Sequence, residues 1–317
     1  MVMNKEVIKM DMYQKRKIRA EKKNNDSQKS LPSVGINWYP GHMAKTKKQI
    51  IQDLKIIDVV VEVLDARIPL SSHNPDLDDV LKNKKRVVLL NKSDLSEEKE
   101  NKKWINFFKK QDIPAVLADC NQGKGIKESL EKVREVMQEE LKKDAQKGKV
   151  GRAIRVLVLG IPNVGKSSYI NRLTKKVSAK VGNKPGVTRQ KQWVRLDKSI
   201  ELLDTPGVLW PKLDSEGTAL YLAFTGTIKE DILEKTDIAY NLLKYLINNY
   251  PENLKTRYNI DIEEANDVIL AYMEAIGQKR GALMSGGRID YEKTAGIILD
   301  DFRSGKLGRI SLEKTEE

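Results

Sequence analysis

Up to about residue 213, short apolar runs rich in β-branched residues alternate with segments of helical period. "IDVVVEVLD" (57–65), "RVVLLN" (86–91) and "IRVLVLG" (154–160) are continuous apolar runs, as expected for parallel strands buried on both faces. "IPAVLA" (113–118) is a weaker fourth run, and "WVRL" (193–196) with "IELLD" (200–204) predicts an antiparallel pair. Between the strands, "KESLEKVREVMQEELKK" places Leu130, Val133, Met137 and Leu141 on one helical stripe. Ahead of them, "NWYPGHMAKTKKQIIQDLK" reads as a Pro-Gly turn opening a helix with Met43, Ile50, Ile51 and Leu54 on one face. Alternating strands and helices predict an α/β domain around a mostly parallel sheet. Beyond residue 213 strand-like runs cease, and "ILEKTDIAYNLLKYLINNY" and "IEEANDVILAYMEAIG" carry helical periodicity alone. The expected organisation is a tail at 1–34, an α/β domain over 35–212 and an all-helical domain over 213–317.

The tail is polar and basic: from Lys5 to Lys29 there are nine Lys or Arg against four Asp or Glu. It has no apolar stretch of the kind that directs secretion, and no run in the chain approaches the ~18 apolar residues of a membrane span. A single cysteine, Cys120, excludes an internal disulfide and fits a reducing compartment, so a cytoplasmic protein is expected. The net charge of +13 favours a polyanionic partner, and with aromatics at only 6% base stacking is not the expected mode of contact.

The strand at 154–160 runs into "GIPNVGKS", Gly160 to Ser167, which satisfies G-x-x-x-x-G-K-[ST] between a strand and a helix. That spacing lets the backbone curl so that the N–H groups of Asn163, Val164, Gly165, Lys166, Ser167 and Ser168 face phosphates at a helix N-terminus. Lys166 neutralises the β- and γ-oxygens, and the Ser167 hydroxyl ligates Mg²⁺. Downstream, Thr188 in "KPGVTRQ" offers a second Mg²⁺ hydroxyl. Asp204 in "DTPG" offers a carboxylate to the same ion, and the Gly207 N–H reaches the γ-phosphate.

"NKSD", Asn91 to Asp94, ends the strand at 86–91 and has the chemistry of a guanine reader. Asp94 accepts from guanine N1–H and the 2-amino group, a pattern adenine does not offer. Asn91 bonds the other purine edge, and the stem of Lys92 lies over the ring. Yet this motif precedes the phosphate loop, the reverse of the usual order in a GTP-binding domain. A circular permutation reconciles the two. The natural ends of a compact domain lie close together, so joining them and cutting elsewhere preserves the site. The joining peptide is expected in the polar, flexible stretch "KKDAQKGKVGR" (142–152), with the new cut just after D-x-x-G. The expected fold is therefore a circularly permuted P-loop GTPase domain with a mostly parallel six-stranded sheet, followed by an all-helical C-terminal domain.

The stretches "NWYPGHMAKT", "DARIP", "NKSDL", "GIPNVGKSS", "KPGVT", "DTPGVLWPK", "YPENLKTRY" and "QKRGALMSGG" resemble the circularly permuted GTPases of the bacterial ribosome biogenesis GTPase A family over roughly residues 36–310. The resemblance implies a GTP-hydrolysing factor that binds the large ribosomal subunit late in assembly, acts as a monomer and contacts rRNA through its helical domain. It implies guanine contacts from the loop at Ala118 and Asp119. It also implies a K⁺ ion held by Asn163 beside the phosphates. Val208 and Leu209 follow D-x-x-G where many GTPases carry a water-orienting Gln, and the resemblance points to His42 for that role. His73 is expected to be an ordinary loop residue. Lys279, Arg280, Arg288, Arg303 and Arg309 are the expected RNA contacts. The alternative reading is a GTP-gated adaptor that regulates a protein partner without touching RNA.

Overall fold

The computed structural model describes residues 49–149, 151–174, 192–204, 216–228, 234–261 and 269–315. Six strands form one sheet: β1 (Val59–Asp65), β2 (Lys85–Asn91), β3 (Ala115–Leu117), β4 (Ile154–Leu159), β5 (Gln192–Arg195) and β6 (Ile200–Asp204), in the order β3-β2-β1-β4-β6-β5. Every pairing is parallel except β5 with β6, the antiparallel pair expected from the sequence. A chain cut just before β4 would run β4, β5, β6, β1, β2, β3 over the same sheet, so the permutation changes connectivity and leaves the layout intact.

All seven residues of β1 are buried, because both faces of this strand are covered. α1 (Glu98–Lys110) packs Trp104 and Phe108 onto Leu64, Val88 and Leu90. Ile50, Leu54 and Ile57 pack with Val60, Leu157 and Leu203. α2 (Ile126–Gln146) packs on β1, β2 and β3 and buries Val133 and Met137 of its expected stripe. Glu62 is the one carboxylate inside β1 short of its end, and it is buried. It is held by Arg86 at 2.6 Å and by His73 Nδ1 at 2.6 Å, while His73 Nε2 reaches Asp78 at 2.8 Å. His73 is thus no ordinary loop residue: it compensates a charge in the sheet.

The joining peptide is shorter than expected. α2 continues to Gln146, and Arg152 is tied to Asp144 at 2.6 Å and to Asp58 at 2.7 Å. An ion-paired Arg replaces the flexible stretch read from composition.

After β6 the described chain resumes in α4 (Glu216–Phe224), preceded in sequence by α3 (Lys166–Thr174) of the phosphate loop. The chain divides into two compact units, and the break falls at Glu234 rather than at residue 213. The sheet unit keeps α4 and regains Phe302–Glu317, while Glu234–Asp301 forms the other unit. That second unit is helical: α5 (Lys235–Asn249), α6 (Pro251–Tyr258), α7 (Ile269–Lys279) and α8 (Tyr291–Arg303), whose final residues pass into the sheet unit. Within it Arg257 makes a bidentate pair with Asp301 at 2.9 Å, and Arg280 lies over Tyr258 and donates to the Arg257 carbonyl.

Candidate functional site

The carboxyl ends of β4, β1, β2 and β3 bring four loops to one rim, where open α/β sheets bind ligands. After β4 comes the phosphate loop. Gly160 has φ +151°, and a Cβ there would lie 2.5 Å from the Val63 carbonyl oxygen. Gly165 has φ +102°, and a Cβ would meet Asn91 Nδ2 at 2.1 Å. Both positions therefore require glycine, for conformation and for space. Lys166 opens α3 and is buried, its Nζ donating to the Ile161 carbonyl at 2.8 Å, so the chain curls over its own lysine. Ser167 and Ser168 follow in the first turn, half-buried.

β2 ends in the guanine-type motif. Asn91 is buried; its Nδ2 donates to the Val164 carbonyl at 2.6 Å and its Oδ1 accepts from the Cys120 N–H at 3.0 Å. One side chain thus ties the "NKSD" loop to the phosphate loop and to the loop after β3. Lys92, at φ +60°, reaches Asp65 Oδ2 at 2.8 Å. Asp94 is exposed. Partial burial and the negative charge of Asp119 push the Asp94 pKa up from the ordinary carboxylate value. Hydrogen-bond donors on a bound base would oppose this shift by favouring the ionised carboxylate.

The sequence reading missed Asp65 and Arg67, although both lie in the quoted "DARIP". They are 1% exposed, and Arg67 grips both oxygens of Asp65 at 2.9 and 2.8 Å. Burial opposes ionisation of Asp65, but the charges of Arg67 and Lys92 outweigh it and hold the carboxyl well below its usual range. Burial in turn lowers the Lys92 pKa, an effect Asp65 opposes. The signal available in sequence was a short acid–base pair at a strand end, which carries no role by itself.

The loop after β3 is used mainly by the protein. The Ala118 N–H donates to the Leu90 carbonyl, and the Ala118 carbonyl accepts from the Ser93 N–H and hydroxyl. Asp119 is buried; its Oδ1 accepts from Gln122 N–H at 3.0 Å, and its Oδ2 has no partner among the described residues. Arg172 of α3 donates through Nε to the Cys120 carbonyl at 3.1 Å and through its terminal nitrogen to the Asn121 carbonyl. Burial pushes the Cys120 thiol up to about 12, which leaves it inert as a nucleophile.

Asn163, at φ +63° and exposed, donates through Nδ2 to the Gly226 carbonyl at 2.5 Å. This leaves Oδ1, the atom a cation would take. Asp204 closes β6 opposite Val158, one strand from the phosphate loop. His42, Thr188 and Gly207 lie outside the described residues, as do Met43, Val208 and Leu209. No group of three or more metal-type ligands is formed by the described residues alone.

Residues 155–276 match the family model described as 50S ribosome-binding GTPase. Over 282 residues the chain is 49% identical to ribosome biogenesis GTPase A of Bacillus licheniformis, covering 89% of this chain and 99% of that protein. The chain belongs to the ribosome biogenesis GTPase A family. It is 34% identical to the Thermotoga maritima member, over 89% of this chain and 95% of that one. It is also 33% identical to mitochondrial ribosome-associated GTPase 1 of Bos taurus, over 90% and 91%. The structure of GNP-bound YlqF from T. maritima superposes with a TM-score of 0.60 at 29% identity, covering 86% of this chain and 99% of that one. As a member of this family the protein is a nucleotide-binding GTPase of ribosome assembly, built on the circularly permuted fold. No helix among the described residues is long and apolar enough to cross a membrane.

Of the five basic residues expected to meet RNA, two have structural work. Arg280 is stacked on Tyr258, and Arg303 donates to the Phe224 and Ala223 carbonyls at 2.9 Å. Arg309 lies 3.9 Å from Glu98. Lys279 and Arg288 are exposed on the helical unit.

Proposed function

We propose that this GTPase acts on the large (50S) ribosomal subunit late in its maturation, engaging the subunit and its rRNA in the GTP-bound state, as a cytoplasmic monomer. The observation that carries the nucleotide half of this reading is the 2.6 Å bond from Asn91 to Val164, which makes one site from two motifs written in reversed order. The subunit half is supported by the net charge of +13 and by exposed Lys279 and Arg288 on the helical unit.

In this reading Asp94 selects guanine and Lys92 covers the ring. Asn91 orders the pocket more than it reads the base, since both of its polar ends are engaged by backbone. Ala118 and Asp119 shape the base pocket from the third loop. The backbone of residues 163–168 and Lys166 bind the phosphates, and the Gly207 N–H meets the γ-phosphate. Mg²⁺ is held by Ser167, Thr188 and Asp204; the placement of Ser167 at the head of α3 and of Asp204 beside β4 fits this donor set. K⁺ is held through Asn163 Oδ1, and either cation supplies positive charge where the β/γ oxygens become more negative. His42 orients the attacking water when the subunit is bound, so hydrolysis is slow in the free protein and stimulated by the subunit.

The test is sedimentation of the protein, locked in its GTP state by a non-hydrolysable analogue, with large subunits at physiological salt. Co-sedimentation that is lost with GDP is the expected result. Failure to co-sediment in either state would favour the GTP-gated adaptor.

A further inference from the structure

Residues 304–315 return from α8 to the sheet unit and lie across two of the loops at its binding rim. The first is the loop carrying the guanine motif. The Ile310 N–H donates to the carbonyl of Leu95, the residue after Asp94, at 2.9 Å. The Ser311 hydroxyl accepts from the Glu97 N–H at 3.0 Å, at the entry to α1. Gly305 sits so close that a Cβ there would lie 2.6 Å from Leu95 Cδ2.

The second is the loop after β1. The Leu312 N–H donates to the Arg67 carbonyl at 3.0 Å, and Phe302 lies under the Arg67 guanidinium at 5.0 Å. The Glu313 carboxylate accepts from the Leu70 N–H at 2.7 Å, from the Ser71 N–H at 3.0 Å and from the Ser71 hydroxyl. Arg67 grips Asp65, and Asp65 holds Lys92. The returning segment therefore fixes both ends of the base-reading stretch: Lys92 through Arg67 and Asp65, and Asp94 through Leu95.

These contacts are more than surface cover. Ser311 is fully buried, and Leu307, Ile310 and Leu312 are 2%, 1% and 3% exposed. Ile310, Ser311, Leu312 and Glu313 bond backbone groups of the two loops, and Glu313 also bonds Ser71, so the segment sets loop position as well as burying apolar side chains.

We propose that Ser311 and Glu313 are positioning residues for guanine recognition: the returning segment is a brace that holds the "NKSD" loop in its base-reading shape and so sets how long a guanine nucleotide stays bound. This rests on the reading of residues 91–94 as the guanine site. The brace touches no nucleotide and acts only through the loops.

The experiment uses the full chain carrying Ser311→Ala, Glu313→Gln or both. Release of GDP and of IDP, each labelled on the ribose, is followed by fluorescence after mixing with excess unlabelled nucleotide. Inosine lacks the 2-amino group that Asp94 accepts. The loss of loop-directed hydrogen bonds is expected to quicken GDP release about tenfold in the double variant. IDP release quickens less, so the preference for GDP narrows. The single variants lie between and carry the test if the double variant does not fold. GDP and IDP release within about twofold of wild type in the folded variants would overturn the proposal, even with a lowered melting temperature. Equal quickening for both nucleotides would overturn it too, since that reports a softened domain and not a displaced base loop. Wild type that holds ADP as well as GDP would overturn the guanine assignment itself, a separate result.

Discussion

Asn91 Nδ2 and the Val164 carbonyl meet at 2.6 Å, closing residues far apart in the chain into one binding rim. Asn91→Ala removes this bond and the one to the Cys120 N–H, leaving a buried carbonyl and a buried N–H unpartnered. At about 1–3 kcal/mol for each unsatisfied group, GTP and GDP affinity should fall roughly 10²-fold or more, measured by titration of a fluorescent analogue. The base and phosphate contacts should weaken together. Gly165→Ala should imitate it, because the added Cβ strikes Asn91 Nδ2 at a backbone conformation that alanine resists.

Asp94→Asn tests guanine selection. The substitution replaces an acceptor facing the N1–H and 2-amino hydrogens, so GTP binding should weaken by about 10–10²-fold. Xanthosine triphosphate, with oxygen at the 2-position, should bind better than to wild type. A competition titration with the two nucleotides decides it. An unchanged ratio would move base selection away from Asp94.

The Glu62–His73–Asp78 cluster predicts a pH dependence of stability. Burial disfavours the imidazolium, but hydrogen bonds and charge from Glu62 and then Asp78 outweigh it and raise the His73 pKa above 6.5. The protonated form is thus favoured by folding. Its contribution is complete below about pH 6.5 and is lost as pH rises through the raised folded value. Glu62 is depressed below 4.5, its burial offset by His73 and Arg86, so its contribution is present above 4.5 and lost as pH falls through the folded value. Urea midpoints measured from pH 6 to 9 should decline in wild type. His73→Gln should start lower and decline less. Parallel curves would assign the slope to other groups.

Catalysis should separate from binding at His42. His42→Ala should keep nucleotide affinity and lose the subunit-stimulated rate by roughly 10²–10⁴, the usual worth of a group that takes or positions a proton. Single-turnover hydrolysis with and without large subunits measures it. Full stimulation in the variant would leave the water to K⁺ or to the ribosome.

K⁺ dependence is tested at Asn163. Hydrolysis in KCl should exceed that in NaCl at equal ionic strength, and Asn163→Ala should remove most of the difference. The bond to Gly226 adds a complication the sequence did not offer: the substitution also frees the turn after α4, so nucleotide affinity must be measured alongside.

The strands were readable because a buried parallel strand is written as a continuous apolar run, and all six lie within two residues of their expected limits. The phosphate and base motifs were legible because their chemistry demands fixed residue types at fixed spacing. Arg67, Arg172 and Glu313 were not. Each acts through backbone carbonyls, N–H groups or a neighbouring carboxylate, and any partner segment with a free backbone group would serve, so no local pattern marks them. The flexible joint at 142–152 was misread for a related reason: its composition is that of a linker, but ion pairing of Arg152 is a property of the fold.

The return of residues 302–317 to the sheet unit makes the helical unit an insert, bounded on both sides by chain that belongs to the nucleotide-binding body. Engineers who shorten the protein from its carboxyl end would discard more than the helices; Ile310, Ser311 and Glu313 would go with them. A minimal GTP-binding protein is better made by excising Glu234–Asp301 and rejoining the chain across the gap, which keeps Ile310, Ser311 and Glu313. Grafting a foreign domain into that same gap would give it two covalent handles on the nucleotide-binding body instead of one.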